Sequence, residues 1–378
     1  MINIVVGGDI CPTGRDLPYF INGDTVALFN DLIEDFGRAD LSIVNLECPL
    51  TNQNAPIEKW GPVLKAPPEC LQSLKNAKIH VLNLANNHIL DHGSLGLIET
   101  LESARAAGVD TVGAGRDLGE ARNILVKEVN GLRIGVLGLA EREFSIAAAN
   151  ACGANPLDLI DFTRNIAARR KDYDYLIVLL HGGNEYYPLP SPRLKETCRF
   201  FIEQGAGAVI CQHSHCVGCY EEYRGGHIVY GQGNLIFASN RQDRIWTEGV
   251  LVRLSVAGPG KAKMELVPFV QSRGGIGAKK MSSAEAQSSL NEIAQRSECI
   301  GDDALLREHW ERFCAERENF YLSTVLGHNR ILRRLNSRGH VVKCLYSSHA
   351  LQGVENIIRC EAHREVLETN FRSKGSKR

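Results

Sequence analysis

The sequence predicts an α/β fold with a mostly parallel core sheet, some antiparallel strands and a separate helical region at the C-terminus. Strand-like and helix-like segments alternate up to about residue 270, as in domains whose parallel strands are joined by helices. Beyond residue 280, apolar residues recur at the i, i+3 and i+4 spacing of helices. We therefore predict a domain at 1–270, a linker at 271–280 (QSRGGIGAKK) and a helical appendage at 281–378.

The first half of the α/β region alternates between strands and helices. Continuous apolar runs predict strands at 2–8, 41–47 and 79–85. Helical periodicity predicts helices at 24–37, 68–77 and 94–108. A proline-rich loop through Pro68 precedes the second helix, and Gly108 provides a stop signal for the third.

The second half continues this alternation and then changes to shorter strands. Asn130-Gly131 between two apolar segments predicts a hairpin turn. Further helices are predicted at 160–172 and 192–205, and further strands at 175–181 and 207–213. Gly-rich turns then separate three short strands, HIVYGQGN, GVLVRLSV and KAKMELVPFV. The helical segments of the appendage are SAEAQSSLNEIAQRS, REHWERFCAERENFYLSTVL and ENIIRCEAHREVLETNF.

Composition excludes several classes of protein. The 43 Lys and Arg residues balance 44 Asp and Glu residues, so no global basic field attracts nucleic acid. The sequence contains no apolar run of 18 residues, so a transmembrane helix is not predicted. The N-terminus, MINIVVGGDI, lacks the basic start and cleavage site of a signal peptide, and a cytoplasmic protein is expected. The twelve cysteines are then predicted to be mostly reduced thiols.

Five predicted strands end in residue types that bind metal ions. In chain order, these residues are Asp9, Glu47, Asn87 with His88, His181, and His213 with His215. Ligands of open α/β sheets bind at the carboxyl ends of the strands, so these side chains are predicted to converge. A single histidine at a strand end is usually a hydrogen-bonded loop residue. Five such ends together indicate a functional site.

The residue types favour one or two divalent metal ions. Histidine nitrogens and carboxylate oxygens suit Mn, Fe or Zn without any thiolate. A bridging carboxylate such as Glu47 holds two ions roughly 3.5–4 Å apart, an arrangement used to hydrolyse phosphoesters and peptide-like bonds. Asn87 would bind through its amide oxygen, and His88 would act as general acid toward the leaving group.

Five segments resemble the successive motifs of the CapA family, the poly-γ-glutamate capsule synthesis proteins. They are GGDICPTGRD, NLECPLT, NLANNHILDHG, HGGNEYY and GAGAVICQHSHCVGCYEE…GGHIVYGQGNLIF, in family order within residues 1–270. That family is similar in fold to the calcineurin-like metallophosphoesterases. The resemblance therefore implies a four-layer α/β/β/α sandwich.

The resemblance also implies roles for residues that match the motifs. Asp9 matches an aspartate that binds the first metal, and Glu47 matches the carboxylate that bridges both metals. Asn87 and His88 match a ligand and an acid, respectively. His181 matches a ligand of the second metal, and His213 and His215 match a closing His-x-His with one histidine on each metal.

One motif departs from the wider phosphoesterase pattern. Ile10 and Cys11 follow Asp9 where that pattern has Asp-x-His, so one metal position has one ligand fewer. Arg15, Glu185 and Asn234 lie in family motifs and are predicted either to bind substrate or to support the ligands.

Two functions remain open. The first is a metal-dependent hydrolase that acts on a phosphoester or a γ-glutamyl-type amide and is linked to capsule polymer synthesis. The second is a non-catalytic accessory protein that binds the polymer in the same cleft, which the missing histidine favours. The expected substrate is an anionic small molecule or polymer, and the helical tail could bind capsule-synthesis proteins. A scaffold that acts through the tail alone would leave the five motifs unexplained.

Other patterns are weaker. Cys211, Cys216 and Cys219 beside the histidines have ligand spacing, but a closed zinc site would need a second pair. The basic stretch at 330–339 is typical of a solvated helix face or partner surface. Residues 361–365 could form a lid, although the sequence does not place them.

Overall fold

A computed structural model describes residues 1–325, 331, 334, 347–359 and 363 of the chain. The strands are β1 Ile2–Cys11, β2 Leu41–Leu46, β3 Val81–Asn83, β4 Asp110–Val112, β5 Ala114–Gly115, β6 Leu125–Val129, β7 Leu132–Ala140, β8 Gly153–Ala154, β9 Tyr175–His181, β10 Ala208–Gln212, β11 Tyr220–Tyr223, β12 Gly226–Val229, β13 Asn234–Phe237, β14 Glu248–Gly258, β15 Lys261–Gln271 and β16 Ala278–Lys280. The α-helices are α1 Leu17–Ile21, α2 Thr25–Phe29, α3 Ile33–Arg38, α4 Leu71–Asn76, α5 Gly93–Ala107, α6 Leu118–Ala121, α7 Leu159–Arg169, α8 Pro192–Glu203, α9 Arg244–Thr247, α10 Ser283–Glu298, α11 Asp303–Val325 and α12 Ser348–Arg359.

The first sheet is built around the N-terminal strand. Its order is β16-β15-β14-β1-β2-β3-β4, and β13 pairs with β1 outside this path. The pairs from β1 to β4 are parallel, whereas β14, β15 and β16 are antiparallel. The parallel strands β1, β2 and β3 therefore bring their carboxyl ends to one edge of this sheet.

The second sheet has the order β11-β12-β10-β9-β7-β6. Its central strands β7, β9, β10 and β12 are parallel. The predicted hairpin is confirmed: β6 and β7 are antiparallel, and the turn between them has positive φ at Asn130 (48°) and Gly131 (81°). Two consecutive residues with positive φ give the backbone twist that a two-residue hairpin turn requires.

The two sheets pack face to face. Alternate residues of each strand point into the space between the sheets, as the period of two in a strand requires. Ile4 and Ile43 of the first sheet thus share one buried cluster with Ile177 and Ile210 of the second sheet. This apolar contact forms the core between the two sheets.

Helices cover the outer face of each sheet. Val5 and Val44 point away from the second sheet and are buried with Phe29 of α2 and other side chains of α1–α5. On the other side, helices α7 and α8 pack together, with the ring centroids of Phe162 and Phe201 4.3 Å apart. The predicted four-layer α/β/β/α sandwich is therefore confirmed.

Two predicted elements are interrupted. The helix predicted at 24–37 is divided into α2 and α3, because Asn30 has a φ of 44° and its amide donates to the carbonyls of Ala27 and Ala278. The strand predicted at HIVYGQGN ends at Val229, and β13 begins only at Asn234. Between them the chain leaves the second sheet and enters the first.

The chain forms two compact units, Met1–Arg307 and Glu308–Arg378. The segment predicted as a linker at 271–280 includes β16, which pairs with β15. In α10, Arg296 donates to the carbonyl of Gly218 at 3.1 Å. The first unit therefore continues beyond the domain predicted at 1–270.

The second unit contains the rest of α11 and, among its described residues, α12. Within α11, the ring centroids of Trp310 and Phe313 are 5.7 Å apart. The predicted helical character of the C-terminal region is confirmed for α10, α11 and α12. The basic stretch at 330–339 and the lid segment at 361–365 lie outside the described residues, apart from 331, 334 and 363. No helix in the described part of the chain is both long and apolar enough to cross a bilayer.

Candidate metal centre

The structure brings together the six residues that were predicted to bind metal. All are buried at the carboxyl ends of parallel strands: Asp9, Glu47, Asn87, His181, His213 and His215. Asp9 lies in β1, Glu47 directly follows β2, and His181 is the last residue of β9. The cluster therefore contains side chains from both sheets of the sandwich.

Glu47 belongs to two sets of ligand atoms. One set consists of Glu47, His181 and His213, and the other consists of Asp9, Glu47 and His215. Within each set, one ligand atom from every residue lies within 4.8 Å of the others. The shared carboxylate gives the arrangement expected of a pair of metal ions bridged by one carboxylate.

The first set gains a fourth donor from Asn87. The Nε2 atom of His181 is 3.0 Å from the Oδ1 atom of Asn87 and 3.1 Å from the Nδ1 atom of His213. The same nitrogen is 3.6 Å from the Oε1 atom of Glu47. Two nitrogens and two oxygens thus converge on one point, which we call the four-donor position.

The second set has three donors, and we call it the three-donor position. His215 Nδ1 is 3.6 Å from Asp9 Oδ2, and His215 Nε2 is 3.8 Å from Glu47 Oε1. Ile10 and Cys11, which replace the expected histidine, are both fully buried. The three-donor position therefore has one donor fewer because the first motif lacks the histidine of the Asp-x-His pattern.

Glu47 has an environment that suits a cation. Its side chain is 0% exposed, and neither carboxylate oxygen has a hydrogen-bond partner among the described residues. Burial raises its pKa well above the ordinary range, and the nearby Asp9 carboxylate raises it further. Burying a carboxylate without partners is unfavourable unless a cation balances it. The residues present therefore fit a divalent ion.

The histidines are prepared to act as neutral ligands. Burial lowers the pKa of His213 and that of His215 to about 4, and it lowers the pKa of His181 well below its usual range. At neutral pH each imidazole thus keeps a free lone pair, as metal binding requires. Nitrogen and oxygen donors without thiolate are the set that Mn, Fe and Zn accept.

The backbone of the His-x-His segment is strained. His213 has a φ of 92° and His215 a φ of 52°. Two hydrogen bonds hold this conformation: the His213 amide donates to Asp9 Oδ2 at 3.2 Å, and His215 Nδ1 is 2.8 Å from Asn234 Oδ1. Non-glycine residues with positive φ persist where their surroundings enforce the conformation, and they are concentrated at functional sites.

His88 lies beside a buried ion pair. Its Nδ1 atom is 2.7 Å from Asp91 Oδ2 and 3.0 Å from Lys59 Nζ. Lys59 also contacts Asp91 directly, and its side chain is only 1% exposed. Asp91 belongs to the same motif as His88, NLANNHILDHG, whereas Lys59 lies 29 residues earlier in a loop without regular pattern and was not predicted.

The three other predicted site residues have different positions. Asn234 is fully buried behind His215 and donates from Nδ2 to the carbonyl of Trp246. Glu185 is exposed, and its charge raises the pKa of Glu47 and of His213, so it lies near the four-donor position. Arg15 is exposed and donates to the carbonyl of Ser239 at 3.1 Å.

A network of buried amides lies beside the cluster. Asn45 donates to Asp9 Oδ1 at 2.7 Å, and Asn83 donates to both Asn45 and Gln212. Gln212 in turn donates to the carbonyl of Gly7. These residues join β1, β2 and β3 of the first sheet to β10 of the second. Sequence reasoning missed them because asparagine and glutamine within strands have no distinctive spacing.

The cysteines near the cluster are not part of it. Cys211, Cys216 and Cys219 are buried free thiols, and the Sγ atom of Cys211 is 3.6 Å from that of Cys198. Within the described ranges, the sets of clustered ligand atoms contain carboxylates and histidines but no cysteine.

These features together define an α/β sandwich protein with a candidate dinuclear metal centre. The family described as bacterial capsule synthesis protein PGA_cap matches residues 3–239. The chain belongs to that family, which confirms the resemblance to CapA proteins.

Individual relatives agree with this assignment. The chain is 31% identical over 215 residues to the capsule biosynthesis protein CapA of Bacillus anthracis, covering 54% of this chain and 51% of that protein. It is 31% identical over 241 residues to the PGA biosynthesis protein CapA of Bacillus subtilis, covering 62% of each. The chain thus spans between half and two thirds of the length of these two relatives.

A solved structure shows a more distant likeness. The calcineurin-like phosphoesterase YfkN of Bacillus subtilis has 15% identity and a TM-score of 0.40, over 82% of this chain and 98% of that chain. A similarity at this level carries no argument about function.

Proposed function

We propose that this protein is a divalent-metal-dependent hydrolase that serves the biosynthesis of a poly-γ-glutamate-type capsule polymer. Its substrate would be an anionic small molecule or polymer that contains a phosphoester or a γ-glutamyl-type amide. Membership of the capsule synthesis family and the names of the two Bacillus relatives support the biological setting. The chemistry of the buried cluster supports the reaction.

The shared carboxylate of Glu47 carries the proposal. Two buried oxygens without hydrogen bonds lie between two sets of ligand atoms. Asn87, His181 and His213 would hold one ion with Glu47, while Asp9 and His215 would hold the other with it. When bound, Mn, Fe or Zn ions supply Lewis acidity that polarises a phosphoryl or carbonyl oxygen.

His88 would provide the proton for the leaving group. Its Nδ1 atom lies 2.7 Å from Asp91 Oδ2, and a proton on Nδ1 would be donated to that carboxylate, which would leave Nε2 to exchange a proton with substrate. Asp91 is fixed in turn by Lys59 and by the amide of Leu64, which donates to it at 2.7 Å. The ring is thereby held in one orientation.

The second candidate is an accessory protein that binds the capsule polymer without hydrolysing it. The observation that favours it is the three-donor position, which lacks the histidine expected after Asp9. A single ion in the four-donor position would suffice to bind an anionic chain. The His88–Asp91–Lys59 arrangement would then have no catalytic use.

Hydrolysis assays on the metal-loaded protein distinguish the two functions. Purified protein is incubated separately with Mn²⁺, Fe²⁺ and Zn²⁺ and assayed on a chromogenic phosphoester and a chromogenic γ-glutamyl amide. We expect turnover in the wild type and a loss of about 10²–10⁴-fold in His88→Ala, the usual contribution of general acid–base catalysis. Metal content should be unchanged in His88→Ala.

Two outcomes would contradict the hydrolase function or the role of His88. Metal-loaded protein that binds poly-γ-glutamate but hydrolyses neither substrate class would support the accessory function. Turnover that is the same in His88→Ala as in the wild type would rule out His88 as the acid.

A further inference from the structure

Glu143 contacts two predicted ligands of the four-donor position. It follows β7, three residues after the last residue of that strand, Ala140. Its Oε2 atom accepts a hydrogen bond from Asn87 Nδ2 at 2.8 Å, and its Oε1 atom is 3.9 Å from His213 Nε2. The side chain is 38% exposed, so it approaches the centre from the solvent side.

Both contacts involve the atom of the ligand that would not bind metal. Asn87 has Oδ1 3.0 Å from His181 Nε2, and its Nδ2 faces Glu143. His213 has Nδ1 3.1 Å from the same His181 nitrogen, and its Nε2 is the atom nearest Glu143. The hydrogen bond from Nδ2 fixes the amide orientation that leaves Asn87 Oδ1 free, since a carboxylate can only accept. The contact with His213 is too long for a hydrogen bond, but the negative charge favours a proton on Nε2 and so leaves Nδ1 free.

We infer that Glu143 is a positioning residue that orients Asn87 and His213 as ligands of the four-donor position. Carboxylates on the outer nitrogen of a metal-binding histidine fix the ring and make it a better ligand. Here one carboxylate serves two ligands from different sheets of the sandwich. The inference rests on the metal-binding part of the proposed function and is independent of hydrolysis.

The segment around Glu143 is itself anchored to the ligands. The Glu141 amide donates to the carbonyl of His181 at 3.0 Å, and the Ser145 hydroxyl donates to the carbonyl of Asn87 at 2.8 Å. Glu143 therefore lies between two fixed points. This placement explains how a partly exposed side chain can hold a defined orientation.

Glu185 provides a matched control. It is also an exposed carboxylate near the same position, and its charge raises the pKa of His213. Among the hydrogen bonds and ion pairs between described residues, none joins Glu185 to a predicted ligand. The variant Glu185→Gln therefore tests how the loss of an exposed negative charge near the four-donor position affects metal affinity.

The test is calorimetric titration of metal-free full-length protein with Mn²⁺. Wild type, Glu143→Ala, Glu143→Gln and Glu185→Gln are compared, and Mn²⁺ electron paramagnetic resonance distinguishes single ions from a coupled pair. We expect Glu143→Ala to weaken one binding event by about 10–100-fold, as for other residues that orient metal ligands, and to reduce the coupled signal. The Mn²⁺ affinity of Glu143→Gln should lie between those of the wild type and Glu143→Ala, because the glutamine amide oxygen can still accept a hydrogen bond from Asn87.

The control variant should change Mn²⁺ affinity less than about 3-fold, since exposed charges are strongly screened. The metal-free melting temperature should be the same in all variants. If Glu143→Ala and Glu185→Gln weakened Mn²⁺ binding equally, the loss of a nearby negative charge would explain both effects and the positioning role would be overturned. Unchanged Mn²⁺ affinity in Glu143→Ala would also overturn it. Wild-type protein that binds none of Mn²⁺, Fe²⁺ and Zn²⁺ in the same titration would overturn both this inference and the metal-dependent function.

Discussion

Individual residues of the centre are each shifted toward their uncharged form. Burial raises the pKa of Asp9 and Glu47 and lowers the pKa of His181, His213 and His215. Desolvation penalises the charged form of any group, which explains the opposite directions. A divalent cation would favour ionised carboxylates while using the neutral imidazoles as ligands. Without a cation, burial favours protonated carboxyls and neutral imidazoles in this cluster, and a bound cation would reverse the preference of the carboxyls.

The buried pair of Lys59 and Asp91 predicts a strong energetic coupling. Asp91 is 0% exposed, so Asp91→Asn would leave the Lys59 ammonium without a compensating charge. We expect this change to lower the free energy of unfolding by about 3–5 kcal/mol. Urea unfolding of the metal-free protein measures the effect.

The double variant Lys59→Met/Asp91→Asn completes this test. Because it removes both charges, it should cost less than the sum of the two single variants by about 0.5–3 kcal/mol, the range seen for residues in contact. Strictly additive costs would show that the two charges do not stabilise each other.

His80 predicts a pH-dependent contribution to stability. Burial lowers its pKa below the ordinary value of 6.5, and the nearby Lys127 lowers it further. Below pH 6.5 the unfolded chain therefore binds a proton that the folded chain resists, and stability falls as the pH decreases. The buried histidines of the centre act in the same direction, so the variant His80→Gln isolates this residue.

The free energy of unfolding should decrease less steeply between pH 7 and pH 5 in His80→Gln than in the parent protein. Denaturant unfolding at several pH values gives the two slopes. A parent slope equal to or shallower than that of the variant would contradict the assignment.

The site residues that sequence could identify are those that follow strands. Asp9, Glu47 and His181 each end a buried run, and the common direction of parallel strands brings them together. Glu143 also follows a parallel strand, β7, but it lies three residues beyond the end of that strand. Lys59 could not be found, because it reaches Asp91 from a long irregular loop and only the folded chain brings them into contact.

At the scale of elements, the crossing from β12 to β13 joins the two sheets. Gly233 lies in this crossing with a φ of 70°, and a Cβ atom there would be 2.5 Å from the carbonyl oxygen of Glu248. Gly225, in the turn before β12, has a similar φ of 80° but no heavy atom within 4 Å of such a Cβ. Both glycines therefore have a positive φ, but only at Gly233 would an added Cβ atom collide with the backbone.

Gly225→Ala should cost about 1–3 kcal/mol of unfolding free energy from positive φ alone. Gly233→Ala should cost a further 1–3 kcal/mol or so, because the backbone must also move away from the added methyl group. Chemical denaturation of both variants measures the difference. Equal costs would show that the crossing tolerates this movement.

Periodicity predicted most elements but not their interruptions. The apolar spacing of 24–37 continues through the break between α2 and α3, where Asn30 ends the first helix by bonding the carbonyl of Ala278. That partner lies 248 residues away, so no local pattern could reveal it. The strand pattern of HIVYGQGN likewise gave no sign that its two ends pair with different sheets.

At the scale of the whole molecule, strand and helix alternation alone did not distinguish one sheet from two. The four-layer arrangement was implied by the family resemblance, and the structure confirms it. Hydrophobic faces on both sides of each sheet are compatible with a single doubly covered sheet as well. The extent of the first unit was also not predicted, because the pairing of β16 and the contacts of α10 depend on residues that are distant in sequence.

Truncation tests where the first unit ends. Lys195 is 4% exposed and donates to the carbonyl of Ile300 and to Asp303, so a chain ending at residue 270 would leave its ammonium unpaired and remove β16. We expect 1–270 to unfold at a lower temperature than 1–307, because the buried Lys195 ammonium loses both acceptors and the sheet loses β16. Thermal unfolding compares them, and equal stability would place the boundary at residue 270.

The central claim, that Glu47 is shared by two metal positions, is tested most directly by elemental analysis of protein purified without chelator. The wild type and His88→Ala should each contain about one to two equivalents of Mn, Fe or Zn per chain, as a shared carboxylate permits. Glu47→Ala should lose this metal, because both sets of ligand atoms depend on its carboxylate. A wild type that holds no metal after incubation with each ion, or a Glu47→Ala variant that holds as much as the wild type, would contradict the claim.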